Sequence, residues 1–419
     1  MKQGYTKNST VREQKEYIAA VDMGSSQMHV LIAELSADRE NFEVRGVGIC
    51  SSRGLHRGVV INIEETVRDI YRAIEEAEKM AQVKIERIWV GISGEHISSH
   101  NSDGTVPIQN QEVSQEDIER VLESAQAVLM KEDLARLHVI PMEYKIDTQG
   151  GIKDPLGMSG VRLEVDVHII TGLDAAVQNV SKCVRRCGME VAGLVMLGLA
   201  SSAAVLTADE QELGVCLVDI GMGTTDLVIF NKGSVRHTAV IPVAGEHITK
   251  DIAIAFGTSL SDAEHLKIEH GVALRQLAES RAIEIASTGE QMKKSISQQV
   301  LADVIEPRVE ELFSLIQEEL NASGLKESLS AGMVLTGGTS RMIGLGRLAE
   351  EVLHLRVRQR GALYRGSLQE VVVEPQWAGA VGLLKWALEQ ERKQPKSAGG
   401  SLNIKNNLEL IKKWFKKSF

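Results

Sequence analysis

The sequence predicts an α/β chain built from two similar halves, and three observations lead there. Two hairpins share one plan, AAVDMGSSQMHVLIAEL over residues 19–35 and CLVDIGMGTTDLVIF over residues 216–230. Each reads as strand, glycine turn, strand, so Asp22 is matched by Asp219 in an internal duplication. Segments of helical period alternate with such strands along most of the chain. A stretch of different texture, Ser93 to Asp166, interrupts the first half and reads as an inserted α+β unit.

Tyr17 to Leu35 forms the first hairpin, and Glu43 to Cys50 a third strand. Glu64 to Ala81 is a helix, with Val67, Ile70, Tyr71, Ile74 and Ala77 repeating at the 3.6-residue period. Arg87 to Gly91 is a buried strand. Within the insertion, turns at Ser102-Asp103-Gly104 and Gln149-Gly150-Gly151 are expected to flank a helix near Gln115 to Met130, capped by Ser114 with Asp117. Val165 to Thr171 returns as a strand and Asp174 to Cys187 as a helix. Gly214 to Asn231 repeats the hairpin, and Ser234 to Pro242 adds a strand. Ala263 to Gly271 begins a helical stretch, and Ile305 to Gly324 is a long helix. Met333 to Ser340 runs from strand through a glycine turn into a helix, and Ala378 to Gln390 closes the body.

The 419 residues suffice for two or more cores, and 43% hydrophobic with 25% charged residues is the balance of a folded globular chain. The net charge is −10, and no basic cluster interleaved with aromatics precedes the tail, which excludes a nucleic-acid groove. Cys50, Cys183, Cys187 and Cys216 form no Cys-x-x-Cys pair and fit a reducing cytoplasm; Cys183 and Cys187 read as small helix residues, not a metal site. His96 and His100, in GEHISSH, read as satisfied surface histidines. The polar N-terminus is expected to be disordered to about Glu16, and it has no signal-peptide pattern. Val191 to Ala208 is uncharged and long enough to span a bilayer, but its Gly, Ala and Ser content reads as strand, turn and helix inside a core.

The last sixteen residues, IKNNLELIKKWFKKSF, separate into two faces when wound as a helix. Ile404, Leu408, Ile411, Phe415 and Phe419 share one face, with Leu410 and Trp414 beside them. Lys405, Glu409, Lys412, Lys413 and Lys416 lie opposite, with Lys417 at a boundary; Asn407 and Ser418 are polar exceptions in the apolar arc. So short a helix is marginal alone in water and needs a surface, and a basic helix with aromatic residues suits an anionic bilayer interface. The stretch before it, KQPKSAGGS, reads as a flexible tether.

The two glycine turns carry the chemistry. Backbone N–H groups of such turns approach phosphate oxygens as an anion nest. Ser25, Ser26, Thr224 and Thr225 add hydroxyls, and Asp22 and Asp219 at the strand ends are placed to hold a hydrated Mg²⁺. Either hairpin alone is a weak signal. Both together, followed by LTGGTS at Leu335 to Ser340, are a strong one.

VDMGSS, LVDIGMGTTD and LTGGTS resemble the phosphate-1, phosphate-2 and adenosine motifs of the actin/Hsp70/sugar-kinase superfamily. Within it, GISGEHISSHNSDGTVPI, LHVIPMEYKIDTQGGIKDPLGMSGVRLEVDVHIITG, GLASSAAVLTADEQELGVCLVDIG and the KKWFKKSF end resemble the FtsA family of actin-like bacterial cell-division proteins, from about Tyr17 to Phe419. The resemblance implies an actin-like two-domain ATPase fold with an inserted 1C subdomain and a C-terminal amphipathic helix. By that resemblance, 1–16 is a disordered N-terminus, 17–92 subdomain 1A, 93–166 the inserted 1C, and 167–200 a return to 1A. Subdomain 2A is 201–250, 2B is 251–328, and 329–374 returns to 2A. The closing helix of 1A is 375–390, the linker 391–403, and the membrane-targeting helix 404–419.

The resemblance also implies roles. Asp22, Gly24, Ser25 and Ser26 fall on phosphate-1; Asp219, Gly221, Gly223, Thr224 and Thr225 on phosphate-2; Gly337 and Gly338 on the adenosine motif. Glu264 and Lys267, in Ala-Glu-x-x-Lys form, take the ribose and adenine contacts, and Gly245 lies near the nucleotide. ATP with Mg²⁺ is the implied cofactor. The implied partners are the C-terminal peptide of the tubulin-like protein FtsZ (on 2B), further copies of the chain in protofilaments, anionic lipids, and later division proteins through 1C. The implied location is the cytoplasmic face of the inner membrane at the division site. One departure stands out: Leu199 or Ala200 occupies the position where efficient ATPases of the superfamily carry Glu or Gln, so slow hydrolysis is expected. A sugar kinase would need a catalytic Asp in a sugar cleft, an Hsp70-like chaperone a further peptide-binding domain, and a pilus-assembly ATPase shares GISGEHIS and MEYKID less closely.

Overall fold

The computed structural model describes residues 15–127, 131–285 and 294–393. The chain opens with three antiparallel strands, β1 (Tyr17–Met23), β2 (Gln27–Leu35) and β3 (Phe42–Ser51), then a two-residue ribbon, β4 (Leu55–His56) and β5 (Val59–Val60). Helix α1 (Ile63–Ala81) starts where the Asn62 side chain accepts from the Glu65 N–H. It buries Ile70, Ala73, Ile74 and Ala77. Tyr71, expected on that face, is 55% exposed, because Ala73 and Ala77 let the helix sit close to β3 and turn Tyr71 outward.

β6 (Arg87–Ile92) leads into the insertion, made of β7 (Ile97–Pro107), α2 (Gln115–Ala125), β8 (Leu134–Ile146), β9 (Gln149–Ile152) and β10 (Arg162–Leu173). The expected turn at Ser102-Asp103-Gly104 is instead the middle of β7, with Asp103 opposite Asp166 and Gly104 opposite Val165. A Cβ at Gly104 would lie 2.4 Å from the Val121 carbonyl oxygen, so this glycine admits α2 against the strand rather than making a turn. Strand β10 stays in the insertion's sheet up to Leu173, so the boundary expected at 166 falls inside it. Ser114 forms the expected capping box with Asp117. The helix ends at Ala125, and residues 128–130 lie outside the described residues.

The chain returns through α3 (Asp174–Arg186), β11 (Glu190–Met196) and α4 (Leu197–Val205), then α5 (Ala208–Leu213). The uncharged 191–208 stretch is thus strand and helix, and no helix among the described residues is long and apolar enough to cross a membrane. The second half supplies β12 (Val215–Ile220), β13 (Thr225–Asn231), β14 (Ser234–Ile241), α6 (Gly245–Phe256), α7 (Leu260–His270), β15 (Ala282–Ile285), β16 (Lys294–Ser297) and α8 (Gln298–Ser323). It ends with β17 (Met333–Thr336), α9 (Leu345–Leu353), β18 (Val357–Gln359), α10 (Gln369–Val372) and α11 (Ala378–Lys393). Helix α8 starts seven residues before the expected Ile305 and carries Pro307 inside it. Burial of Leu301, Ala302 and Ile305 offsets the hydrogen bond that proline cannot make.

The duplication is visible in the sheets. The first runs β3-β2-β1-β6-β11 and the second β14-β13-β12-β17-β18. In both, three antiparallel strands are followed by two parallel ones. One apolar core covers the first sheet and passes through α4 and α11 to the inner face of the second. A second core lies between the second sheet and α6–α9, and the insertion has its own around Val121, Leu163 and Val165. The expected amphipathic helix, Ile404 to Phe419, and the linker before it lie outside the described residues, save the last turn of α11 at 391–393.

Candidate functional site

Strand pairing sets the two glycine turns opposite each other. β1 and β2 pair down to Met23 and Met28, leaving Gly24 to Ser26 as the turn; β12 and β13 pair down to Ile220 and Thr225, leaving Gly221 to Thr224. The turns touch: a Cβ on Gly223 would lie 2.6 Å from Ser25 Oγ. Ser25 Oγ also accepts from the Gly58 N–H at 3.0 Å, so the turn of the β4–β5 ribbon packs onto phosphate-1. Between the turns opens a cleft of about 740 Å³, bordered further by Glu264, Lys267 and Gly337 to Thr339.

Three carboxylates lie at its floor. Burial raises Asp22 to about 8, with the neighbouring Asp219 charge adding to it. Burial raises Asp219 to about 6, partly opposed by the Ser201 hydroxyl, which donates to Asp219 Oδ2. Asp226 is pushed well above the ordinary carboxylate range by burial and by Asp219, against the Ser93 hydroxyl that donates to it. No basic side chain among the described residues forms an ion pair with any of the three. Acids withdrawn from water and lacking a counter-charge suit a hydrated divalent cation held through its water shell.

The opposite wall is built around Lys267. Its Nζ donates to the Gly245 carbonyl at 3.0 Å and Thr249 Oγ1 at 2.9 Å, and pairs with Glu264 at 2.7 Å. Burial holds its pKa below the usual lysine value. Thr339 Oγ1 donates to the Gly221 carbonyl at 2.7 Å, tying the adenosine motif to phosphate-2. Gly337 has φ +86°, and a Cβ there would lie 2.3 Å from Asp219 Oδ1, so glycine is required. Gly338 is open: a Cβ would meet nothing nearer than Gln376 Cβ at 3.7 Å.

Asp22, Gly24, Ser25, Ser26, Asp219, Gly221, Gly223, Thr224, Glu264, Lys267, Gly337 and Gly338 therefore border one cleft. Two expected residues stand behind its wall. The Thr225 hydroxyl donates to the Val243 carbonyl at 2.8 Å and holds β13 to the segment after β14. Gly245 is buried at the start of α6, with its N–H on the Gly221 carbonyl and its carbonyl on Lys267. Leu199 and Ala200 do not border the cleft either. Along α4 the residue that borders it is Leu197; Ser201, one helical turn on, is buried and reaches Asp219 from behind the floor.

Sequence reasoning missed Asp226, Ser93 and His29. Register exposes the first: Asp219 pairs across the hairpin with Asp226, as Asp22 pairs with His29. His29 is buried against Trp377, with ring centroids 4.4 Å apart, and burial lowers its pKa to about 4. His96 is not a surface residue. It is 8% exposed, folded beneath Gly94, with no hydrogen-bond partner on either ring nitrogen. No group of three metal-ligating side chains suited to an ion forms among the described residues. Cys187 Sγ instead donates to the Val67 carbonyl, packing α3 on α1.

Comparison with known proteins places this arrangement. Residues 216–382 match the family described as "Cell division protein FtsA", and residues 94–171 match the "SHS2 domain inserted in FTSA". The chain is 47% identical to the cell division protein FtsA of Pseudomonas aeruginosa, over 96% of this chain and 98% of that one. It is 42% identical to FtsA of Neisseria meningitidis, over 98% and 100%, and 43% identical to FtsA of Escherichia coli K12, over 90% and 91%. Among solved structures, the fold is similar to the PilM-PilN type IV pilus biogenesis complex (TM-score 0.63, 18% identity, 90% and 99% covered). It is also similar to MreB5 of Spiroplasma citri bound to ADP (TM-score 0.54, 12% identity, 90% and 98% covered). An actin-like fold carrying the inserted unit, with full-length kinship at 37–47% identity, does not favour the pilus, chaperone or kinase alternatives: the chain belongs to the FtsA family of cell-division proteins.

Proposed function

We propose that this cell-division protein binds ATP with Mg²⁺ in the interlobe cleft, polymerises, and holds the FtsZ ring at the cytoplasmic face of the membrane through its terminal helix. The observation that carries the nucleotide is the pair of phosphate-type turns in contact above three carboxylates without a counter-charge, Asp22 and Asp226 buried and Asp219 part-buried. Asp22 and Asp219 meet the metal through its water shell rather than as a closed ligand set, and the metal would supply the positive charge that the phosphates and the carboxylates both need. The N–H groups of Gly24 to Ser26 and Met222 to Thr224 bind phosphate oxygens, while the Gly221 N–H closes the turn on the Thr224 carbonyl; Glu264 and Lys267 support the sugar and base.

Hydrolysis is slow in this reading. Leu197, the α4 residue that borders the cleft, has no group to orient water, and Ser201 one turn on is buried and engaged by Asp219. ATP then acts as a conformational and assembly ligand. Ile404, Leu408, Ile411, Trp414, Phe415 and Phe419 enter the bilayer interface while Lys412, Lys413, Lys416 and Lys417 meet anionic headgroups. The FtsZ peptide docks on the region 251–328, and later division proteins on the insertion.

Co-sedimentation with anionic liposomes tests this, comparing the full chain with a truncation after Gly400, with and without Mg-ATP. Tail-dependent binding that ATP strengthens is expected, since weak anchors add when copies assemble. Binding that ignores both the tail and ATP overturns it.

A further inference from the structure

A second cavity, of about 530 Å³, lies away from the nucleotide cleft, between α11, α4 and the β13–β14 hairpin. Its walls are apolar where they are deepest: Leu199, Phe230, Val235, Tyr364, Trp386 and Leu388 are all buried. The Lys385 ammonium in its wall is turned to the Ala203 and Ala204 carbonyls at 3.1 and 3.3 Å, so it closes the C-terminal end of α4 instead of offering a free charge. We propose that this cavity receives the Trp414–Phe415 end of the chain's own terminal segment when that segment is not on a membrane. The proposal rests on the amphipathic reading of the tail and adds a second, competing surface for it.

Three observations favour this occupant. The described chain ends beside the cavity: Leu388 and Glu389 line it, and α11 ends at Lys393, about one turn later. That end is tied to the rim, since Arg392 donates to the Arg39 carbonyl and Arg39 to the Glu391 carbonyl, and this β2–β3 turn continues into Asn41 and Phe42 of the lining. Residues 394–403 reach at most roughly 35 Å, several times what the return requires. The lining carries Arg365 and Lys385 against Glu389, which pairs with Arg392, so the match is to the apolar face of the tail and not to its lysines.

The consequence is competition, because one Trp–Phe pair cannot occupy both surfaces. A photo-crosslinking amino acid at position 415 of the full chain, irradiated without lipid, is expected to join the tail to peptides containing Tyr364 or Trp386 within a single chain. Anionic vesicles of phosphatidylglycerol are expected to abolish that product. Ala208→Trp, placed at an exposed lining position, is expected to block the crosslink and raise vesicle affinity several-fold at limiting lipid. Crosslinks elsewhere on the body, or only between chains mixed as heavy- and light-isotope forms, overturn docking of the chain's own tail. Unchanged crosslinking and vesicle affinity in the Ala208→Trp protein overturn it too. Because the crosslink is read without lipid, failure of the membrane reading would leave this result standing by itself.

Discussion

Ser93 and Asp226 meet where the two lobes join: the Ser93 hydroxyl lies 2.9 and 2.8 Å from the two carboxylate oxygens of Asp226. Ser93 is also 3.2 Å from Thr224 Oγ1, so the stem of the insertion is fastened directly to the phosphate-2 turn. Both residues are buried, at 5% and 4% exposure. Ser93→Ala leaves a buried carboxyl without its donor and is expected to cost about 1–3 kcal/mol. Thermal unfolding reads this; an unchanged midpoint would show that water replaces the hydroxyl.

The pH dependence of the nucleotide-free protein follows from the same carboxyls. Asp22 and Asp219 hold their protons more tightly folded (about 8 and about 6) than the ordinary carboxylate value near 3.8. Folding is therefore favoured at low pH, and that contribution declines from about pH 4 upward, ending near 6 for Asp219 and near 8 for Asp22. Melting temperature is expected to fall across this window. Asp22→Asn should flatten the upper part of the fall, and Mg-ATP should reduce it by stabilising the ionised forms.

The adjacent glycines of the adenosine turn should behave oppositely. Gly337→Ala forces a Cβ against Asp219 at positive φ and is expected to cost about 1–3 kcal/mol and most nucleotide binding. Gly338→Ala has room and should change stability by less than about 0.5 kcal/mol. Gly338→Asp would act by placing a charge in the adenosine side of the cleft rather than by a clash at Cβ. Equal effects of the two alanine variants would contradict the turn geometry.

Lys267→Met removes the donor shared by the Gly245 carbonyl, Thr249 and Glu264. A loosened α6–α7 wall is expected to weaken nucleotide binding about tenfold, or about 1.4 kcal/mol. Calorimetric titration with Mg-ATP measures this, and undiminished affinity would remove Lys267 from the pocket assignment.

Trp414→Glu places a charge beside the apolar face of the proposed anchor. Anionic-vesicle affinity should drop about tenfold or more while nucleotide affinity stays the same. Retained vesicle binding would sink the anchor reading without touching the cleft.

The sequence by itself determined the duplicated α/β plan, most helices, both glycine turns and the two acids at their strand ends. These are local matters: hairpin turns need glycine, helix periods need spaced apolar residues, and both are written in consecutive letters. Tertiary structure alone decided the rest. Gly104 looks like a turn residue but admits α2, and Thr225 looks like a phosphate donor but holds a backbone carbonyl. His96 lies under Gly94, and Leu197, not Leu199 or Ala200, faces the cleft. Asp226 joined the acid cluster only once register set it opposite Asp219 and burial denied it a counter-charge. Which side of a residue meets which neighbour depends on packing between segments far apart in the chain, and no local pattern encodes that direction.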